Sequence, residues 1–572
     1  MPVFLDQIEG LKLHLHAIAE METILAADKF SHVDAQMIDM MFDQSSRFAE
    51  DKLVALAASG DKAGCTLQNG NVSLPTGTPA VYQEWCKLGF PALGLPMEFE
   101  GLQFPNIVQS AVQEIIDGAN LAFGMMGINV RCAAKTFIAN APEALVQRWV
   151  PGLLSGEISP TIVISEPQAG SDVGRIRTTA TPAADDSWSI NGSKIWISYG
   201  DHDATKKIVH LVLARVPSEE IGTRALGLFA VPKYLDDDIS EDKRNGVSVS
   251  RLEHKMGLHA SPTCVLELEN AQGYLIGEAG KGLQALFVMM NGMRLAVGVQ
   301  GAAVANMVTL RALDYAKERP QGGRADAAPV MISEHADVKR MLLEMTARSE
   351  MIRALALKTA SFLDLAEISE GIDAENNLRL GELLLPLAKT INAENAFDIA
   401  SQGIQVLGGY GYTNDYPLER MARDIRVASI YEGTSGIQAL DFMKRKVLAD
   451  EGTTLKLLIE RIRNDADQAN ADNPLREAIG ESLQIFEETL NGLLAKSKQD
   501  RKTVEPGAYH FLQLSGLVVM HWLGMHLYSA ATDNTEYHKR LQAALTLSAT
   551  GLTQEAQMLA KLANQKGTAI SL

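Results

Sequence analysis

The stretch "IRVASIYEGTSGIQALDF", residues 425–442, sets one carboxylate, Glu432, behind an apolar run and directly before a glycine. A carboxylate in such company loses solvation, so holding its charge there costs free energy that only a chemical role would justify. Three further stretches carry residue types suited to a ligand. In "TIVISEPQAGSDVG", 161–174, an apolar run enters a Pro/Gly/Ser loop. Its main-chain amides and the hydroxyls of Ser165 and Ser171 suit a polar ring edge or a phosphate; the plainer alternative is a connection whose serines satisfy local backbone. In "KIWISYG", 194–200, Trp196 offers either a stacking face for a planar group or a core side chain. In "QVLGGYGYTNDYPLERMARD", 405–424, the glycines either cap a helix or let backbone approach a bound group.

Residues 1–160 read as helical, because "NIVQSAVQEIIDGANLAFGM" and "APEALVQRWVPGLLSG" repeat apolar positions at three-to-four spacing. From 161 the pattern changes to short β-branched runs: "TIVIS", "WSINGSKIWIS", "KIVHLVLARV", "LGLFAVPK" and "TCVLELEN". Asn191-Gly192 is expected to form a hairpin turn. From about 281 long helical runs return, and a charged, looser stretch near 447–475 leads into a last helical block. The expected fold is therefore α+β and multidomain: an N-terminal helical domain (1–160), a central β domain (161–280), a helical bundle carrying Glu432 (281–450) and an additional helical domain (451–572). The run "FLQLSGLVVMHWLGMHLYSA", 511–530, lacks Lys, Arg, Asp and Glu, yet it holds Gln513, His521 and His526 and has no basic flanks. It is expected to be a buried bundle helix, not a membrane span.

The composition is that of an ordinary globular protein, at 46% hydrophobic and 21% charged. A net charge of −18 without a long basic block makes nucleic acid and anionic membrane poor partners. The four cysteines lie far apart and the twelve histidines form no ligand run, so no metal site is expected, and reduced thiols point to the cytoplasm. The N-terminus "MPVFLDQIEG" has no signal-peptide pattern. No Walker loop, strand-following GxGxxG, HExxH or GxSxG appears.

Taken together, the Ser-Glu-Pro-x-Ala-Gly-Ser-Asp loop at 165–172 and the Gln-x-x-Gly-Gly-x-Gly stretch that runs through Arg420 and Asp424 into Ile-Tyr-Glu-Gly-Thr at 430–434 resemble the acyl-CoA dehydrogenase family. The resemblance covers about residues 1–447, and it is strongest to long members with an added C-terminal helical domain, a group that includes 3-(methylthio)propanoyl-CoA dehydrogenases. It implies a β-barrel-like central domain, FAD as cofactor and oxidation of an acyl-CoA thioester to the trans-2-enoyl-CoA. Glu432 would be the base, and its amide would help to bind the thioester carbonyl; an apolar setting makes a carboxylate a better base. The base that some relatives carry one residue before Arg294 is absent, since Met293 stands there.

The same resemblance gives Ser171, Asn291, Arg294, Glu432 and Gly433 to the substrate, although Asn291 stands where well-known relatives have an acidic residue. It gives Ile164, Ser165, Gly170, Ser171, Trp196, Ser198 and Thr434 to FAD, and Arg319, Gln405 and Gly409 to the FAD of a neighbouring subunit. Gln321, Gly322 and Gly436 depart from the family pattern and inherit no contact. The implied partners are an acyl-CoA, an electron-transferring flavoprotein and a second copy of the chain in a homodimer. An acyl-CoA oxidase and a non-catalytic flavoprotein scaffold are the alternatives. The acyl group, 3-(methylthio)propanoyl or a short, medium or long fatty acyl, stays open; Met125, Met126, Met289, Met290 and Met293 are candidate pocket residues.

Overall fold

The short β-branched runs do form strands in the computed structural model, which describes residues 2–183, 185–235, 240 and 243–565. By internal contacts the chain divides into two units. One comprises residues 47–104 and 119–293, the other residues 1–46, 105–118 and 294–572.

The first unit holds a small hairpin, β1 (Thr66–Gln68) and β2 (Asn71–Ser73), and a seven-stranded sheet. The sheet strands are β3 (Ile158–Val163), β4 (Thr179–Pro182), β5 (Trp188–Ser198), β6 (Lys207–Arg215), β7 (Leu226–Pro232), β8 (Val247–Leu252) and β9 (Thr263–Ile276). Pairing runs β6–β7–β9–β5–β4 and returns to β6 through Thr179 opposite Arg215, so the sheet closes into the expected barrel. Closure removes edges that would otherwise present unpaired backbone. Strand β3 lies parallel on β6 and β8 antiparallel on β9. Val212, Phe229, Leu266 and Ile190, all fully buried, pack in the core of this sheet.

Three local expectations are corrected. Asn191-Gly192 is no turn: β5 runs straight through it, with a register shift between Ile190 and Gly192. A Cβ on Gly192 would lie 2.4 Å from the Thr178 hydroxyl, so this glycine serves close packing. The Asn-Gly turn sits instead at Asn69-Gly70, φ 51° and 75°, between β1 and β2 in the stretch expected to be helical. Strands β4 and β8 were also hidden, β4 by its four-residue length and terminal proline, β8 by serines on its outer face.

The second unit is helical. The helix Gly282–Glu318, of which Arg294 onward belongs here, packs against Gly371–Leu407 at small residues. A Cβ on Gly301 would come 2.6 Å from the main chain of Asn392, and the Asn392 amide donates to Gly298 O (2.9 Å) and Ile352 O (2.8 Å). Three helices are thereby tied together at one side chain. Gly282–Glu318 is long and apolar enough to cross a bilayer, but 56% of its most apolar window is buried inside the protein, as in a core helix. The helix Ala508–Ala530 is a bundle helix, with Phe511, Leu514, Val519 and Trp522 almost wholly buried.

Candidate active site

Glu432 sits in a bend between the short helical turn Arg426–Ser429 and the helix Ser435–Asp441. Its backbone is left-handed at φ 54°, a conformation that a non-glycine residue adopts at some cost and that marks a constrained position. Gly433 follows at φ 93°, where a side chain would be strained and would meet the Gln438 amide at 2.7 Å. The bend is held on both sides: Gln438 Nε2 donates to Glu432 O (2.9 Å), and Lys389 Nζ donates to Gly433 O (2.5 Å). The Glu432 N–H has no acceptor among the described residues. Beside the bend, the Tyr431 hydroxyl donates to Gln300 Oε1.

Electrostatics at this loop are unusual. Desolvation pushes the Glu432 carboxyl up from its ordinary pKa, while Lys389 and Arg294 pull it down. Lys389 is fully buried; that burial lowers its pKa to about 8, against the opposing pull of Glu432 and Glu394. Arg294, 5% exposed, pairs with Asp441 at 2.9 Å, and Arg445 shares that carboxylate at 3.2 Å. The Arg294 Nε is buried without a partner among the described residues, so one donor of the guanidinium remains to be used. Thr434 has another task besides any ligand: its hydroxyl caps the helix Ser435–Asp441 by accepting from Ile437 N.

In the barrel unit, the loop after β3 and the strand β5 are locked by an ion pair that sequence reasoning passed over. Lys194, fully buried, donates to Ile164 O (2.8 Å) and Leu213 O (2.7 Å) and pairs with Glu166 at 2.9 Å. Glu166 also accepts from the amides of Arg177 (2.7 Å) and Thr178 (3.0 Å). Burial opposes its charge, but Lys194 and these amides outweigh that and bring its pKa down to about 2. The loop is thus fixed from behind. On its open side the Ser165 and Ser171 hydroxyls bond no other described residue, and a Cβ on Gly170 would meet nothing within 4 Å.

Trp196 is an exposed side chain, not core. A register shift between Lys194 and Ile197 turns it outward at φ 64°, leaving it 58% exposed beside the buried Ile197. An indole face beside free hydroxyls fits the flat ring and polar edge of a flavin. Ser198, paired with Thr263, follows on the same strand. Trp196→Ala is expected to weaken FAD retention through lost stacking of about 1 kcal/mol. If the purified variant holds flavin as tightly as the parent on dilution, Trp196 is no part of the cofactor wall.

The remaining expected site residues fall elsewhere. Asn291 and Met293 lie on Gly282–Glu318 in the barrel unit, the first partly and the second almost fully buried. Met125, Met126 and Met289 are buried in the same unit. Arg319, Gln405 and Gly409 are exposed in the helical unit, and the Arg319 guanidinium lies 5.5 Å from the ring centre of Tyr410. Gly408 caps the helix Gly371–Leu407 at φ 62°, whereas Gly409 has open space where a Cβ would stand. The capping reading therefore holds for Gly408, and the open space at Gly409 leaves room for a bound group.

The chain is similar to known proteins along most of its length. Family models described as acyl-CoA dehydrogenase N-terminal, middle and C-terminal domains match residues 36–157, 161–271 and 280–447. The chain is 36% identical over 537 residues to 3-methylmercaptopropionyl-CoA dehydrogenase of Ruegeria pomeroyi, covering 92% of this chain and 91% of that one. It is 33% identical over 549 residues to the broad-specificity linear acyl-CoA dehydrogenase FadE5 of Mycobacterium tuberculosis, covering 91% and 90%. In fold it resembles an acyl-CoA dehydrogenase complexed with FAD from Bacillus anthracis, with a TM-score of 0.77 at 20% identity over 95% of this chain and 91% of that one.

Proposed function

The chain belongs to the acyl-CoA dehydrogenase family, acts on acyl-CoA thioesters and takes FAD, and from that premise we propose that Glu432 is the base that removes the proton next to the thioester carbonyl. The observation that carries this reading is the carboxylate's setting: desolvated, so that it binds a proton more tightly, yet restrained by Lys389 and Arg294, so that it still ionises.

A carbon-bound proton is weakly acidic, and its removal drives negative charge onto the carbonyl oxygen. The unused Glu432 N–H is the donor proposed for that oxygen. Arg294, with its unpartnered Nε, and Ser171, Asn291 and Gly433 are proposed to hold the rest of the thioester. When bound, FAD accepts the hydride from the next carbon. Ile164, Ser165, Gly170, Ser171, Trp196, Ser198 and Thr434 are its proposed contacts, with Arg319, Gln405 and Gly409 serving the second copy's FAD in a homodimer.

The product is the trans-2-enoyl-CoA, and the electrons pass to an electron-transferring flavoprotein in the cytoplasm. The acyl group proposed is linear and short, of the size of 3-methylmercaptopropionyl, the group that the Ruegeria relative is named for. A range of linear chains is the second reading, supported by the name of the mycobacterial relative. The test is a panel of acyl-CoA thioesters scored by anaerobic flavin bleaching, with turnover then compared between an artificial acceptor and dioxygen. Fastest bleaching by short linear groups is expected. Preference for long chains would overturn the substrate reading, and faster turnover with dioxygen would make the protein an oxidase.

A further inference from the structure

Two charged side chains on the helix Gly371–Leu407 bear on the base loop without belonging to it. Lys389 interrupts the apolar run "LLLPLAKT" and is fully buried, with its Nζ on Gly433 O at 2.5 Å. A neutral donor would hold a carbonyl oxygen at smaller desolvation cost, so a lysine there has a second use for its charge. Three charged groups face it: the Glu432 and Glu394 carboxylates and the Arg294 guanidinium. Arg294 also favours the ionised Glu432 but is paired with Asp441, and Lys389 is the larger of the two cationic influences on Glu432 and also faces Glu394.

Glu394 divides its two oxygens between the loop and a distant part of the chain. Oε1 accepts from Ser435 Oγ at 2.6 Å, three residues past Glu432. Oε2 accepts from Tyr509 Oη (2.9 Å) and Gln513 Nε2 (2.7 Å). Both donors lie on the helix Ala508–Ala530, beyond residue 447, where the match to the family's C-terminal domain stops. Tyr509 stays a donor, because burial and the nearby Glu394 push its phenol up to about 12. The remaining charged groups at these side chains are Asp398, which acts on Tyr509, and Asp117, which acts on Tyr431 next to the base.

We propose that Lys389 and Glu394 form a bracket that positions the Glu432 loop, Lys389 through Gly433 and its charge, Glu394 through Ser435, and that the added helix Ala508–Ala530 fixes this bracket through Tyr509 and Gln513. Lys389 and Glu394 are positioning residues. The inference rests on Glu432 being the base and adds what sets that base's geometry and proton affinity. It gives the C-terminal extension a part in the chemistry.

The experiment is anaerobic flavin reduction by an acyl-CoA across pH, on the full-length FAD-loaded protein, with Glu432→Gln as control. Lys389→Met removes the cation that favours ionised Glu432, so the rising limb of rate against pH moves up by about one unit, and the rate below that limb falls about tenfold. The substrate concentration for half-saturation stays near the parent value, and Lys389→Arg returns the limb toward its original position. The double variant Tyr509→Phe/Gln513→Leu, at the half-exposed start of the added helix, strips both donors from Glu394 Oε2 and moves the limb the same way; it carries the test if Lys389→Met does not fold. A limb unmoved in either folded variant, with Glu432→Gln inactive, overturns the bracket and leaves the base in place. Activity retained by Glu432→Gln overturns the base itself.

Discussion

Replacing Glu432 by glutamine will leave a folded, yellow protein whose flavin is reduced by acyl-CoA about 10²–10⁴-fold more slowly than in the parent. The substitution is close to isosteric and touches neither bond that holds the bend, since Gln438 and Lys389 both grip main-chain oxygens. What it removes is the proposed proton acceptor, and the nearby side chains among the described residues offer no substitute. Met293 cannot take a proton, Asp441 is committed to Arg294 and Arg445, and Glu394 is occupied by Ser435, Tyr509 and Gln513. The Glu432 N–H also survives the change, so substrate binding should fall far less than the rate. Reduction within tenfold of the parent would show that the proton goes elsewhere.

Arg353→Met is expected to be the most damaging single change to stability, at about 3–5 kcal/mol. Arg353 is buried, and it donates to Glu114 from Nε (3.0 Å) and Nη2 (2.6 Å) and to Glu350 from Nη1 (2.8 Å). Glu350 is further bonded by Tyr537 (3.1 Å) and Asn306 (3.3 Å), and Glu114 by Gln7 (3.2 Å). One guanidinium therefore balances two buried carboxylates that join the helices Pro2–Ala17, Asn106–Ala119, Gly282–Glu318, Ala336–Ile368 and Glu536–Ala549. Methionine fills similar space, so the loss comes from stranded charge and not from a cavity. Denaturant unfolding of the two proteins checks it: a midpoint shift equivalent to less than about 1 kcal/mol would mean that the network relaxes or takes up protons at little cost.

The order of helical and strand regions was legible because hydrophobic period is a local property, and it changes visibly at residues 161 and 281. Barrel closure was not, because it rests on a single pairing between Thr179 and Arg215, thirty-six positions apart, and on strands too short or too polar to show a pattern. The dipeptide Asn-Gly misled for a related reason. At 191–192 the glycine answers the approach of Thr178, a non-local fact, whereas at 69–70 the same pair does turn the chain.

For the site, motif residues such as Glu432, Ser165 and Trp196 could be picked out by spacing, and the outward turn of Trp196 excludes the core reading. The residues that support them escaped. Lys194, Glu166, Lys389 and Glu394 read as ordinary charges in sequence, and their meaning appears only when the partner comes from another strand or helix. A lysine inside an apolar helical run, as at 389, was the one available signal, because such a charge is rarely buried without a partner.

Glu432 as base implies that breaking the bond to the α-proton limits flavin reduction and that the rate follows the ionisation of one carboxylate. Anaerobic stopped-flow reduction with an acyl-CoA deuterated at the α-carbon, followed across pH, measures both at once. Reduction is expected to be several-fold slower with the deuterated substrate, at a rate that rises with pH through a single ionisation above the ordinary glutamate value, since desolvation raises the pKa of Glu432. Equal rates for the two isotopes combined with a profile flat in pH would contradict it.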